Sequence, residues 1–161
     1  MQRAITGFGV DEHDDPFAWL SCGHRQHVRH QPPFVNRPWV ISDEGREAML
    51  GQTLNCVRCD ALEWPDGFVV YKQTPVFTEA TVPAGLLRDH ATKAGVWACI
   101  RVQSGQLRYC IPSLAIEQLL GAKDLGTVLP EVLHYVSPVG RVRFVVEFYR
   151  KSPLDARSSE K

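Results

Sequence analysis

The chain has 161 residues, and its 18 Lys and Arg balance 18 Asp and Glu, so there is no overall electrostatic case for a nucleic-acid or membrane partner. With 44% hydrophobic and 22% charged residues it can bury a sizeable core, which excludes disorder as the main state and fits one domain or two small ones. No apolar run reaches the roughly 18 residues of a spanning helix, and Met1-Gln2-Arg3-Ala4-Ile5-Thr6 lacks the apolar core of a signal peptide, so a cytoplasmic setting is expected. Five Cys, an odd number without secretory context, favour thiols and metal ligands over a disulfide framework.

In chain order, Arg3 to Phe8 and Phe17 to Cys22 read as strands joined by the acidic turn Asp11-Glu12-His13-Asp14-Asp15-Pro16, which predicts a hairpin. A Pro-rich crossing, Gln31-Pro32-Pro33-Phe34, leads to Trp39-Val40-Ile41. Ser42 then caps a short helix over Asp43 to Leu50, with acids in its first turn and Gly51 just past its end. Residues 1–62 carry four of the six His and three of the five Cys, with six basic and eight acidic side chains. The turn at Glu63-Trp64-Pro65-Asp66-Gly67 separates them from a segment richer in Val, Leu and aromatic residues.

Cys22-Gly23-His24 and the distant Cys56-Val57-Arg58-Cys59 carry the chemistry of the first module. On an extended segment Cys22 and His24 face one side, and a C-x2-C turn presents two sulfurs convergently. Three thiolates and one imidazole form a closed tetrahedral set of the structural zinc kind, which would staple a small α+β module; four protein ligands leave no vacant position for catalysis. His27 is the substitute ligand. The competing reading makes these residues buried thiols without a metal. His27 and His30 otherwise order the loop through hydrogen bonds. No acid lies between Pro16 and Ser42, so Arg25, Arg29 and Arg37 form a candidate anion site. Cys22 to Pro33, with Arg37-Pro38-Trp39 and Cys56 to Cys59, resembles a short zinc-ribbon-like bacterial domain of unknown function, found alone or fused to other modules. That resemblance implies no activity.

From residue 68 on, Phe68 to Tyr71, Gly95 to Val102, Leu107 to Ile111, Thr127 to Leu129, Leu133 to Val136 and Val142 to Tyr149 read as strands between Gly, Pro or Asp turns, which predicts an antiparallel sandwich or barrel. Ser113 to Leu120 fits either a helix face or a strand. Cys99 and Cys110 read as core thiols, and Trp97, Phe144, Phe148 and Tyr149 as core and barrel lining. The polar segment over residues 152–161 reads as a disordered tail.

Thr74-Pro75-Val76-Phe77, Thr81 to His90, Lys93 to Trp97, Gly105 to Tyr109, Pro130 to His134 and Phe144 to Tyr149 together resemble a small cupin-like family. It is typified by the YeaR protein and by the N-terminal domain of some tellurite-resistance TehB proteins. The resemblance implies a double-stranded β-helix barrel over residues 68–151 and a link to tellurite or nitrosative stress. Cupins usually take metal from an H-x-H, a following Glu and a late His. Here His90 and His134 match the first and last, Thr92 replaces the second His, and no Glu lies between His90 and Gly105. Glu147 is the expected third ligand of a Zn or Fe site; the alternative is a vestigial site of hydrogen-bonded histidines.

These readings give a mainly β protein with a zinc-stapled N-terminal module, acting as a stress-associated metal- or small-anion-binding protein. The competing functions are a metal-dependent cupin oxygenase or isomerase acting on a small molecule, and a zinc-ribbon interaction module for nucleic acid or protein. A small molecule or anion is the expected partner, nucleic acid and membrane are not, and a homodimer is left open.

Overall fold

In a computed structural model the described residues are 1–153; the expected tail lies outside them from residue 154 on. The chain divides into two compact units, Met1–Asp66 and Gly67–Ser152. The fold is mainly β, and among the described residues no helix is long and apolar enough to cross a membrane.

The first unit is built on the expected hairpin. Strands β1 (Gln2–Val10) and β2 (Pro16–Leu20) pair antiparallel, with a register shift between Ile5 and Gly7. The Asp11 carboxylate closes the turn by accepting from the backbone N–H of His13 (2.8 Å) and of Asp15 (3.0 Å), the local capture that makes Asp a turn residue. Two three-residue strands, β3 (Arg25–His27) and β4 (Thr53–Asn55), extend the sheet to the order β3-β2-β1-β4. Neither stands out in the sequence, because each is too short to show a period and exists by pairing with a neighbour. Helix α1 (Asp43–Ala48) begins as predicted, with the Ser42 hydroxyl accepting from the Gly45 N–H at 3.0 Å. Ile5, Phe17, Ala18, Leu20, Val28 and Val40 form the small core.

The second unit is a curled six-stranded sheet made of β5 (Phe68–Gln73), β6 (Phe77–Thr78), β7 (Trp97–Ile111), β8 (Ile116–Leu120), β9 (Leu125–Val128) and β10 (Tyr135–Lys151). Its main path is β5-β10-β7-β8, with β6 on β10 and β9 on β7. Two pairs of strands expected to be separate are continuous. Gly95 to Val102 merges with Leu107 to Ile111 in β7, and Leu133 to Val136 merges with Val142 to Tyr149 in β10. The two long strands pair antiparallel from Tyr135 opposite Cys110 to Tyr149 opposite Trp97. The Gly residues that read as strand ends instead bend this ribbon, whose register shifts between Val139 and Val142. The ambiguous Ser113 to Leu120 resolves into a 3₁₀ turn at Pro112–Leu114, a left-handed Ala115 (φ 52°), and strand β8.

Gly105 is the position on which the bend depends. Its φ is +77°, and an added Cβ would lie 2.0 Å from the Arg141 carbonyl oxygen. A side chain there meets both backbone strain and the crossing strand. Gly105→Ala is expected to lower unfolding stability by about 2 kcal/mol or more in urea titrations. A loss below about 0.5 kcal/mol would contradict this account of the bend.

Candidate metal centre and sheet cavity

Local backbone geometry brings the first two metal-ligand candidates inward. After β2 the Gly23 N–H donates to the Leu20 carbonyl (2.8 Å) and the Leu20 N–H donates to the His24 carbonyl (2.9 Å), with Gly23 at φ 88°. This tight turn folds the chain back toward β3 and buries Cys22 and His24. Cys56 is set beside β1 by its N–H, which donates to the Met1 carbonyl at 2.7 Å. It also forms the N-cap of the one-turn helix α2 (Val57–Asp60), so Cys59 lies three residues on, over the same face.

The ligand atoms of Cys22, His24, Cys56 and Cys59 lie within 4.8 Å of one another, and all four residues are buried. His24 Nδ1 sits 3.4 Å from Cys22 Sγ, 3.4 Å from Cys56 Sγ and 3.6 Å from Cys59 Sγ, and Cys22 Sγ is 3.9 Å from Cys56 Sγ. Tetrahedral bonds of about 2.3 Å to sulfur and about 2.0 Å to nitrogen require edges of about 3.5 Å for S···N and about 3.8 Å for S···S. The donor set therefore fits a metal ion, and its spacing is consistent with zinc. Its electrostatics agree. Hydrogen bonds from Cys22 and Cys59 pull the Cys56 thiol strongly toward thiolate, while the neighbouring Cys56 and Cys59 sulfurs and burial push Cys22 the other way. Burial opposes charge on His24, but the Cys56 and Cys59 sulfurs outweigh it and raise its pKa to about 9. A cluster that draws protons in this way is one that a divalent cation would stabilise by replacing them.

The other residues singled out in the first module are placed differently. His27 Nε2 is 2.9 Å from the Asp11 carboxylate and stands outside the cluster, so the ligand of the pair is His24. Hydrogen bonding from the His13 backbone, and then from His27, holds the Asp11 carboxyl down at about 2. Arg29 pairs with Asp15 at 3.0 Å, and the Arg25 guanidinium lies 5.6 Å over the Phe17 ring. Arg37 contributes its backbone N–H to His30 Nδ1 at 2.9 Å. The stretch without acids is thus balanced in space by Asp11 and Asp15 from the hairpin turn, and the three arginines do not converge on one anion through any contact seen among the described residues.

In the second unit His90 and His134 meet across a narrow antiparallel bridge. Each backbone N–H donates to the other's carbonyl, at 3.0 and 2.9 Å, and the rings meet at a tilt of 56° with centroids 4.2 Å apart. His90 Nδ1 bonds the Arg88 carbonyl (3.0 Å) and His134 Nδ1 bonds the Val132 carbonyl (2.9 Å). A carbonyl can only accept, so both Nδ1 atoms carry a proton, and in a neutral ring Nε2 is then the acceptor. Both rings line a cavity of about 460 Å³ with Ala98, Ile100, Val136 and Phe144 from β7 and β10. Burial, reinforced by the neighbouring His90, lowers the pKa of His134 to about 4, although the Val132 carbonyl opposes this.

Glu147 does not join the two histidines. On β10 the cavity is lined by Phe144, Val146 and Phe148, and period 2 turns Glu147 to the opposite face of the sheet. There Arg101 Nε donates to its carboxylate at 2.5 Å and the Tyr149 hydroxyl at 2.9 Å. Burial raises the Glu147 carboxyl, but these two bonds prevail and hold it below the usual range. Phe144 and Phe148 line the cavity and Trp97 is fully buried in the core, as expected, whereas Tyr149 lies outside the lining. Lys72 and Lys93, also in the lining, carried no signal in the sequence beyond being charged residues beside predicted strands.

The depressed His134 pKa fixes the sign of a pH dependence. Above about pH 6.5 both folded and unfolded chains hold this imidazole neutral, so it has no effect. Between about 6.5 and 4 the unfolded chain takes up the proton first and stability falls, by about 3 to 3.5 kcal/mol in full. In urea unfolding at pH 7 and pH 4.5, His134→Phe should lose less stability on acidification than the parent chain. Equal losses would show that His134 is not held neutral.

Residues 6–63 match a family described as a protein of unknown function (DUF3565), and residues 72–146 match the TehB-like domain. No curated protein matches the chain. Among solved structures, TehB from Haemophilus influenzae is similar over 53% of this chain at 25% identity with a TM-score of 0.50. This chain spans about a third of that protein, 32% of its length. A protein from E. coli K12 is similar over 56% of this chain and 88% of its own, with a TM-score of 0.52; at 21% identity that likeness shows the fold alone. The four residues of the Cys/His cluster thus lie within the segment that matches DUF3565, and His90 and His134 of the cavity within the segment that matches the TehB-like domain.

Proposed function

We propose that this is a small-molecule-binding protein of the tellurite-resistance-associated kind, in which a structural zinc organises the N-terminal unit and the cupin-like barrel of the second unit carries the ligand site. The observation that carries the reading is the cavity of about 460 Å³ in the TehB-like domain, a volume in the range of small-molecule pockets. Its lining combines an apolar floor with a few polar groups, the composition such sites share.

The zinc belongs to Cys22, His24, Cys56 and Cys59. A set closed by four protein ligands suits a structural ion, because no position is left for water or substrate. Fewer than seventy residues with a small core gain folding energy from such a site. The alternative of a metal-dependent oxygenase or isomerase at His90 and His134 is weakened by the pairing of Glu147 with Arg101 and Tyr149. Two imidazoles alone make a poor resident metal site. An interaction module for nucleic acid through Arg25, Arg29 and Arg37 is weakened by the engagement of Arg29 with Asp15 and Arg25 with Phe17.

Elemental analysis of protein purified without a metal-binding tag should find one zinc per chain. Cys59→Ser should lose that zinc and render residues 1–66 protease-sensitive, whereas His27→Ala and His134→Phe should each retain it in full. A second metal equivalent that disappears in His134→Phe would favour the enzyme. Full zinc in Cys59→Ser would overturn the ligand set.

A further inference from the structure

The lining of the cavity sorts by depth and by charge. Ala98, Ile100, Val128, His134, Val136 and Phe144 are buried and form its floor. Lys72 and Lys93 are exposed and form part of its rim, Lys72 on β5 and Lys93 in the loop before β7. No Asp or Glu lines it. The imidazoles lie in the same wall, His90 half-exposed and His134 buried, and in its neutral form each keeps an Nε2 acceptor after its Nδ1 bond to the backbone.

A bare inorganic oxyanion is a poor occupant for such a floor. It would shed its hydration to sit among Val, Ile and Phe side chains, where only fixed donors could compensate it. The lining supplies few of them: the neutral His134 presents an acceptor, the Thr92 hydroxyl is committed to the Val96 carbonyl at 2.6 Å, and the hydroxyls of Thr74, which accepts from the Val146 N–H at 3.0 Å, and of Tyr71 are neutral donors too few to replace the hydration of a bare anion. A cation is no better, because the rim charges are positive and no carboxylate faces the cavity. The remaining class has an apolar body that can fill the floor and an acid group that stays at the hydrated rim. Lysine suits that role, since its stem covers apolar surface while its ammonium remains in water. Lys72 shows the arrangement, with its Nζ 5.9 Å over the Phe148 ring at the cavity wall.

Building on the reading of this cavity as the ligand site, we propose that it takes an amphipathic organic anion, a small carboxylate whose apolar body lies on the Ile100, Val136 and Phe144 floor and whose acid group meets Lys72 and Lys93. An eight-carbon chain fits within a cavity of this size with room to spare and serves as the probe. Recognition is then divided: apolar burial supplies most of the affinity, and the lysines select the sign of the headgroup.

Calorimetric titration of the full chain with octanoate, octan-1-ol, octylamine and tellurite separates the terms. Octanoate should bind tightest, octan-1-ol about three- to tenfold more weakly, octylamine more weakly still, and tellurite should neither bind in this range nor displace octanoate. The double variant Lys72→Gln, Lys93→Gln should bring octanoate down to the level of octan-1-ol while leaving octan-1-ol unchanged. These positions are exposed, so the variant should keep the parent circular dichroism. Val136→Trp, which fills the floor, should abolish binding of both octyl compounds. Octan-1-ol or octylamine binding as tightly as octanoate would overturn the anionic headgroup while leaving the cavity as a ligand site. Tellurite that displaces octanoate would replace the organic anion with an inorganic one. Failure of every octyl compound to bind would overturn both the proposal and the reading beneath it.

Discussion

Three cysteine sulfurs gathered around one imidazole nitrogen, all removed from water, are the constraint on which the N-terminal unit turns. At S···N separations of 3.4 to 3.6 Å the groups compete for protons, and the cluster is driven toward thiolate character that a buried site tolerates only with a counter-charge. A divalent cation at the centre satisfies all four groups at once. It would also join two segments distant in sequence that the sheet brings together, since Cys22 and His24 follow β2 whereas Cys56 caps α2 and Cys59 lies within it. The hydrophobic core around Ile5, Leu20 and Val40 is small, so an ion held by the four ligands would contribute a large share of this unit's folding energy.

The second unit is organised by strand pairing. Two strands of 15 and 17 residues pair along most of their length, and their shared bend at Gly105 lets one ribbon serve both halves of a curled sheet. Alternation along those strands divides their side chains between a cavity and an opposite face. Ala98, Ile100, Phe144 and Val146 go to the cavity, and Cys99, Arg101, Val145 and Glu147 to the other side. That division produces the site: an apolar floor, a histidine pair locked by backbone carbonyls, and lysines at the rim. The resemblance to TehB-like domains locates the fold, while the chemistry of the ligand follows from this lining.

Much of the first unit was legible because its signals are local. The acidic hairpin turn, the Ser42 cap and the C-x-H with C-x2-C spacing each depend on residues close in sequence or on a chemistry that few other arrangements satisfy. The edge strands β3 and β4 were not legible, since three-residue strands leave no period to read. In the second unit the strand-forming segments were visible, but their continuity was not: a Gly in a bend and a Gly in a turn look alike until the partner strand is known. Glu147 illustrates the same limit. Period 2 places it on one face with Val145 and Tyr149, yet which face of β10 meets the histidines is decided by the curl of the whole sheet. The first unit looked basic in sequence because Asp11 and Asp15, which pair with His27 and Arg29, arrive from across a hairpin.

The central claim is that Cys22, His24, Cys56 and Cys59 hold one zinc ion in a closed tetrahedral site, and X-ray absorption at the zinc edge of the purified full chain tests it most directly. The account predicts four-coordinate zinc with three sulfur neighbours at about 2.3 Å and one nitrogen at about 2.0 Å. A first shell dominated by oxygen and nitrogen, or one with two or fewer sulfurs, would contradict it.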